Sequence, residues 1–184
     1  HHTCRVGAHT GKAAALINGR TIHQWVLKFL HQGATPPELQ LMWKHAKLFI
    51  IDEFSMLGLS DLAKIAGAIK KARNEESHPC AFGSLHMLLV GDQYHFEPVA
   101  AIPMHRQEAS SLGDRSRQGH YIWRQFTTVI FLEDQMRSPD PKWFPFLQRV
   151  RHAYTWDPTL GELDDQQREE VMLNDHTMLH SLLL

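Results

Sequence analysis

At 184 residues and 43% hydrophobic content, the chain fits one globular domain with a real core. Its formal net charge of −1 excludes a global basic field of the kind that announces nucleic acid, while leaving a local basic groove open. No apolar run approaches membrane-spanning length, and no signal peptide is visible.

Thr3 to Val6 reads as a short strand, and Gly7 to Lys12 as a turn into a helix that begins near Lys12. The letters GAHTGKA suggest a phosphate-binding P-loop, but the spacing refuses it. That loop needs four residues between its glycines, then Gly-Lys-Ser/Thr; here three residues separate Gly7 from Gly11, and Ala13 stands where a hydroxyl should reach Mg²⁺. Asn18-Gly19 is a turn signal. Thr21 can then cap a helix over Ile22 to His31, with Ile22, Trp25, Val26 and Phe29 on one face. Gly33 and Pro36-Pro37 mark a loop and a new helix start, running to Lys44.

The stretch from Lys47 to Leu57, KLFIIDEFSML, organises the chain. Leu48 to Ile51 form an apolar run that reads as a strand buried on both faces. Burying Asp52 and Glu53 inside it would be costly, so they belong at its carboxyl end, where open α/β sheets place ligands. An aspartate there can hold Mg²⁺ through water, and a neighbouring glutamate can orient an attacking water. Leu59 to Arg73 is the clearest helix, with Leu62, Ile65, Ala66 and Ile69 at helical spacing and lysines on the solvated side. Leu85 to Val90 is a second buried strand that again ends in an acid, Asp92, so two carboxylate-tipped strands can converge on one cleft.

Ala101 to Gly119, with Arg106, Arg115 and Arg117, reads as a long surface loop, and Tyr121 to Phe126 as a short helix. Thr127 to Leu132, TTVIFL, reads as a third strand, followed by a loop that places Arg137 near the same edge. Trp143 to His152 is an amphipathic helix; a polar acidic stretch from Glu162 to Glu170 leads into a final helix over Val171 to Leu184. Cys4 and Cys80 lack metal-ligand spacing and fit a reducing, intracellular setting. His176 and His180 could share a helix face, but no further ligand group converges on them.

The segments AHTGKAA, TIH, IIDEFSM, GDQYHFEPV and EDQMRS occur in an order that resembles the first motor domain of the PIF-family DNA helicases of superfamily one, especially those of Helitron transposons. The resemblance covers Val6 to His152. It implies an α/β, RecA-like core with a mainly parallel sheet, over residues 1–155, with 156–184 as an extension. It also implies ATP and Mg²⁺ as cofactors, 5′-to-3′ movement on single-stranded DNA, a second motor domain beyond this chain, and a nuclear location without a membrane anchor. Residue by residue, Asp52 would hold Mg²⁺ and Asp92 would lie at the nucleotide. Glu53 would position the hydrolytic water. Arg137 would contact the γ-phosphate, and His95 stands where the family carries a glutamine that senses it. Thr10, Gly11, Thr21 and His23 would lie along the DNA backbone, although His23 on general grounds of burial is expected to pack.

The chain departs from the family pattern at Gln93, His95 and Glu97, which replace a phenylalanine, a glutamine and a proline. It begins after the position of the family's P-loop strand, so the neighbours of that strand are expected to keep unpaired edges. The rival reading is a non-catalytic remnant that binds nucleic acid or protein. A nucleotide-binding ATPase outside the helicases shares the acidic strand ends but leaves TIH and TGKAA unexplained.

Overall fold

The computed structural model describes residues 3–27, 37–106, 112–132, 134, 136 and 140–182. The chain divides into two compact units, His1–Val129 and Ile130–Leu184. In the first, strands β1 (Cys4–Ala8), β2 (Arg20–Thr21), β3 (Leu48–Asp52) and β4 (His86–Leu89) form one sheet, ordered β2-β1-β3-β4. Every pairing is parallel, as the α/β expectation required.

Helices supply the crossovers that parallel strands need. They are α1 (Gly11–Leu16), a π-helical segment (His23–Leu27), α2 (Pro37–Trp43) and α3 (Leu59–Arg73). A later helix, α4 (Asp114–Trp123), follows β4. On α3, Leu59, Leu62, Ile65 and Ile69 are fully buried, joining Phe49 and Ile51 of β3 in the core. Each such side chain contributes roughly 1.5–3 kcal/mol relative to exposure. Trp43 of α2 meets Phe49 edge-on at 5.1 Å and Trp25 at 6.0 Å, which closes the core beneath the sheet. Helix α3 ends where Asn74 enters the left-handed region, with φ of 55° and its N–H donated to the carbonyls of Lys70 and Lys71.

One polar cluster ties α2, α3 and the approach to β4 together. Arg73 donates to the carbonyls of Trp43 and Ala46, at 2.7 and 2.8 Å, and to the Ser84 hydroxyl. Glu75 accepts from Arg73 and from the backbone and hydroxyl of Ser84. Burial pushes the Glu75 carboxyl upward, but these donors outweigh it and hold the group down at about 2.

Several sequence expectations are corrected. β3 alternates buried and half-buried residues, and β4 alternates exposed and half-buried ones, so neither is covered on both faces. Val6, Ile50 and Leu88 stand in register on the more open face. The expected strand over Thr127 to Leu132 does not form, and Val129, Ile130, Phe131 and Leu132 are all exposed. A β-prone run needs a neighbour, and among the described residues no strand pairs with this one. The expected loop through Gly119 is instead partly helix, because α4 starts at Asp114 and ends at Trp123. The rest of the helix expected to His31, and the loop expected around Gly33 and Pro36, fall outside the described residues.

The second unit contains α5 (Trp143–Arg151), a hairpin of β5 (Trp156–Asp157) and β6 (Gly161–Glu162), and α6 (Asp165–Leu182). α6 begins six residues before the expected Val171 start, inside the acidic stretch. Arg149 of α5 joins these elements, donating to Asp157 at 2.8 Å and to both carboxylate oxygens of Asp175, one of them at 2.8 Å. Asp157 and Asp175 are both buried. The bonds to Asp175 and Asp157 raise the Arg149 guanidinium above its ordinary range despite burial. Asp157 is raised by burial, but Arg149 and the N–H groups of Thr159 and Leu160 outweigh that and lower it.

Two outcomes are expected. Because the folded pKa of Glu75 lies below its unfolded value of 4.5, its contribution is present above that value and is lost as pH falls toward about 2. Chemical unfolding of the parent and Glu75→Gln should therefore differ most above about pH 5, by roughly 1–3 kcal/mol, and converge near pH 2. A pH-independent difference removes the Arg73–Glu75 charge from the account. Second, the open face of the sheet, where Leu88 is exposed beside Ile50 and Val6, should make the chain associate. Leu88→Lys should shift light scattering toward monomer, and unchanged association in that variant places the contact elsewhere.

Candidate functional site

Parallel register brings the strand ends into one row. Thr21 of β2 pairs with Ala8 of β1, and Ala8 pairs with Asp52 of β3. Val90, just past β4, donates its N–H to the Ile51 carbonyl at 2.8 Å, which extends the row to the fourth strand. With strands about 4.8 Å apart, Thr21 and Asp52 sit roughly 10 Å apart along one edge. Asp52 and Thr21, with Thr10, Glu53 and Asp92 just past the strand ends, thus lie along that edge; among them the sequence predicts strand-end placement for the carboxylates alone.

Local geometry then aims the acids. Asp52 accepts the N–H of Glu53 at 3.0 Å through Oδ1. Glu53 takes a left-handed backbone, with φ of 54°, before the 3₁₀ turn Phe54–Met56. This conformation is uncommon for a residue with a long side chain and carries a cost of order 1 kcal/mol or more. Two features hold it. Phe54 donates its N–H to the Val90 carbonyl at 3.2 Å. Gly91, with φ of 145°, lets the next loop approach so closely that a Cβ there would stand 3.1 Å from the Phe54 nitrogen and 3.2 Å from the Glu53 Cα.

His95 completes the constellation. Its Nδ1 lies 3.4 Å from Oε2 of Glu53, and its Nε2 lies 3.6 Å from Oδ2 of Asp92. The first distance is a long hydrogen bond; the second is an electrostatic contact. Asp92 places the histidine by accepting the N–H of Tyr94 through Oδ1 and that of His95 through its carbonyl, a side-chain-supported turn. Both glutamate and histidine side chains are partly open to solvent, at 34% and 51%, so either can reach a ligand. Asp52 presents one carboxylate at the end of β3. Among the described residues no group of three or more His, Cys, Asp or Glu is arranged to hold a metal.

The remaining expected residues divide. Thr10 caps α1, its Oγ1 accepting the Ala13 N–H at 3.2 Å, and Gly11 opens that helix. Thr21 and Gln24 form a reciprocal capping box, the hydroxyl accepting from the Gln24 N–H at 3.1 Å and the amide oxygen accepting from the Thr21 N–H at 3.0 Å. The spacing T-x-x-Q carries that signature in the sequence. His23 is exposed, which corrects the expectation that it packs: Ile22 and Val26 take the core side instead. Arg137 lies outside the described residues. Ser55, within IIDEFSM, was not singled out from the sequence, yet its hydroxyl is buried with no hydrogen-bond partner among the described residues.

A family model described as PIF1-like helicase matches residues 2–144. The ATP-dependent DNA helicase RRM3 of Saccharomyces cerevisiae is 25% identical over 158 residues, covering 80% of this chain and 21% of its own length. The ATP-dependent DNA helicase Pif1 of Bdellovibrio bacteriovorus is 28% identical, covering 94% of this chain and 37% of its own length. The chain therefore spans a fifth to about a third of the curated relatives it matches. The Pif1 helicase structure from Candida albicans superposes with a TM-score of 0.60 at 23% identity, over 82% of this chain and 34% of that one. A Pif1 structure described as unwinding forked double-stranded DNA gives 0.53 at 20% identity, over 83% and 38%. These structures carry the same fold.

The close approach at Gly91 generates a test. Gly91→Ala should destabilise the first unit by about 1–3 kcal/mol, read as a lower thermal midpoint, because L side chains rarely adopt a φ of 145° and the added Cβ would press on the backbone of Glu53 and Phe54. An unchanged midpoint would mean that the loop does not hold Glu53 in place.

Proposed function

The chain belongs to the PIF1-like helicase family, and from that premise we propose that it supplies part of the first motor domain of an ATP-dependent DNA helicase. One observation carries this reading: the acids and threonines of four separate motifs share a single carboxyl-terminal edge of a parallel sheet. In this reading Asp52 holds Mg²⁺ through water, with Asp92 beside the nucleotide. Bound Mg²⁺ neutralises charge on the phosphates being transferred. Glu53 orients the attacking water, and its left-handed backbone turns the side chain away from the strand axis toward the next loop. His95 holds the carboxylate of Glu53 from the far side. Arg137 supplies positive charge to the γ-phosphate. Phosphoryl transfer is mainly positioning and charge neutralisation, so these groups suffice once the phosphates are cradled.

The cradle is the unmet requirement. The sequence holds no Gly-x₄-Gly-Lys-Ser/Thr segment, and Gly7 lies within β1 rather than in a phosphate loop. A second reading is a non-catalytic module that keeps the binding edge, and the histidine at position 95, in place of the family's glutamine, is what favours it. Thr10, Gly11, Thr21 and His23 form the single-stranded DNA track in either reading, and 5′-to-3′ movement and a nuclear setting come with the first. No described helix is long and apolar enough to cross a membrane.

The decisive experiment extends the chain upstream with a family phosphate-binding strand, loop and helix. DNA-stimulated ATP hydrolysis should then appear, and Glu53→Gln should reduce it by about 10²- to 10⁴-fold while nucleotide affinity holds. Absent turnover in the extended parent favours the binding module; full turnover in the variant removes Glu53 from the chemistry.

A further inference from the structure

Three arginines on helix α4 and at its C-cap, Arg115, Arg117 and Arg124, have no role in the site above. Helix α4 explains how they are displayed. Its inner side is fixed: Ile122 is buried, and Gly119 packs so tightly on Leu59 that a Cβ would stand 1.9 Å from the Leu59 carbonyl oxygen. That seating turns Arg117, Tyr121 and Arg124 outward at helical spacings of four and three, so they share one face. Tyr121 is 68% exposed, and both arginines are exposed.

Charge on this helix opposes that of the chain. From Gly113 to Phe126 three arginines face one carboxylate, Asp114, while the whole chain carries −1. Arg117 pairs with Asp114, but that aspartate is 95% exposed, and such a pair contributes little and yields to a phosphate. Position adds the second observation. Trp123 stacks on Phe54 at 6.0 Å, and Phe54 directly follows Glu53. Helix α4 is thus anchored beside the candidate edge. An exposed aromatic between two guanidiniums suits a strand with both bases and phosphates.

We propose that the outward face of α4 is a second contact for single-stranded nucleic acid, with Arg117 and Arg124 on phosphates and Tyr121 under a base. It rests on the polynucleotide reading above but on none of the same residues. Fluorescence anisotropy of the 184-residue chain with a labelled single-stranded oligothymidylate at low salt tests it. Arg117→Glu with Arg124→Glu should weaken binding at least about tenfold and flatten the logarithmic salt slope by about 1.4, for two lost phosphate contacts. Arg117→Lys with Arg124→Lys should keep the slope. Tyr121→Ala should weaken binding roughly 5- to 100-fold, and Tyr121→Phe should restore it.

Circular dichroism should match across the set; if the glutamate pair unfolds, Arg117→Gln with Arg124→Gln carries the test, with the same loss of salt slope expected. Thr10→Ala and Thr21→Ala report separately on the edge track. Loss through the α4 variants alone supports the proposal and removes that track; loss through the threonines alone overturns it. Wild-type affinity in the double glutamate variant overturns it, as does an absence of binding by the parent. Equal competition by inorganic polyphosphate, combined with a silent Tyr121→Ala, reduces the face to a general anion surface and also overturns it.

Discussion

The site depends on parallel pairing of β3 with β1 on one side and β4 on the other. Parallel strands send all their carboxyl ends to one edge, so residues far apart in sequence arrive in a row. Antiparallel pairing of the same segments would send Asp52 and Asp92 to opposite ends. The hydrogen bonds Val90 to Ile51 and Phe54 to Val90 then lock the two exit loops together. The backbone strain at Glu53 persists because this double anchorage leaves it no relaxed alternative.

The core serves that pairing. Phe49 and Ile51 reach the buried face only in the observed register, since a slip of one residue would turn both outward. α3 covers them with four fully buried side chains, and the Arg73 cluster fixes its far end against α2. Hydrophobic burial thereby sets the register, and the register sets where the carboxylates stand.

The parts of the fold read correctly from the sequence are those with strong local signals. α3 showed an apolar stripe closed by an asparagine, and β3 showed a run ending in acids that could not be buried. Thr21 caps its helix as its residue type predicts. Misread segments had non-local causes. TTVIFL has the composition of a strand, but a strand is defined by its neighbour. α4 was hidden because only Gly119 and Ile122 are buried along it, too few to make a stripe against its arginines. The Glu53–His95 contact spans 42 residues and rests on a glycine whose role is to allow proximity, which no spacing rule encodes. Its chemistry was legible as a departure from the family's glutamine, its geometry was not.

Arg149 holds two buried carboxylates at once, and this shapes how the second unit can change over generations. Removing the arginine strands both acids in the interior, and removing either acid leaves the guanidinium undercompensated; each single loss costs several kcal/mol. An all-apolar replacement of the trio could be as stable or more so, yet every one-step route to it crosses a badly destabilised intermediate. The hub is therefore held by its epistasis rather than by its strength. Drift in this region should leave the trio intact while its apolar surroundings vary freely.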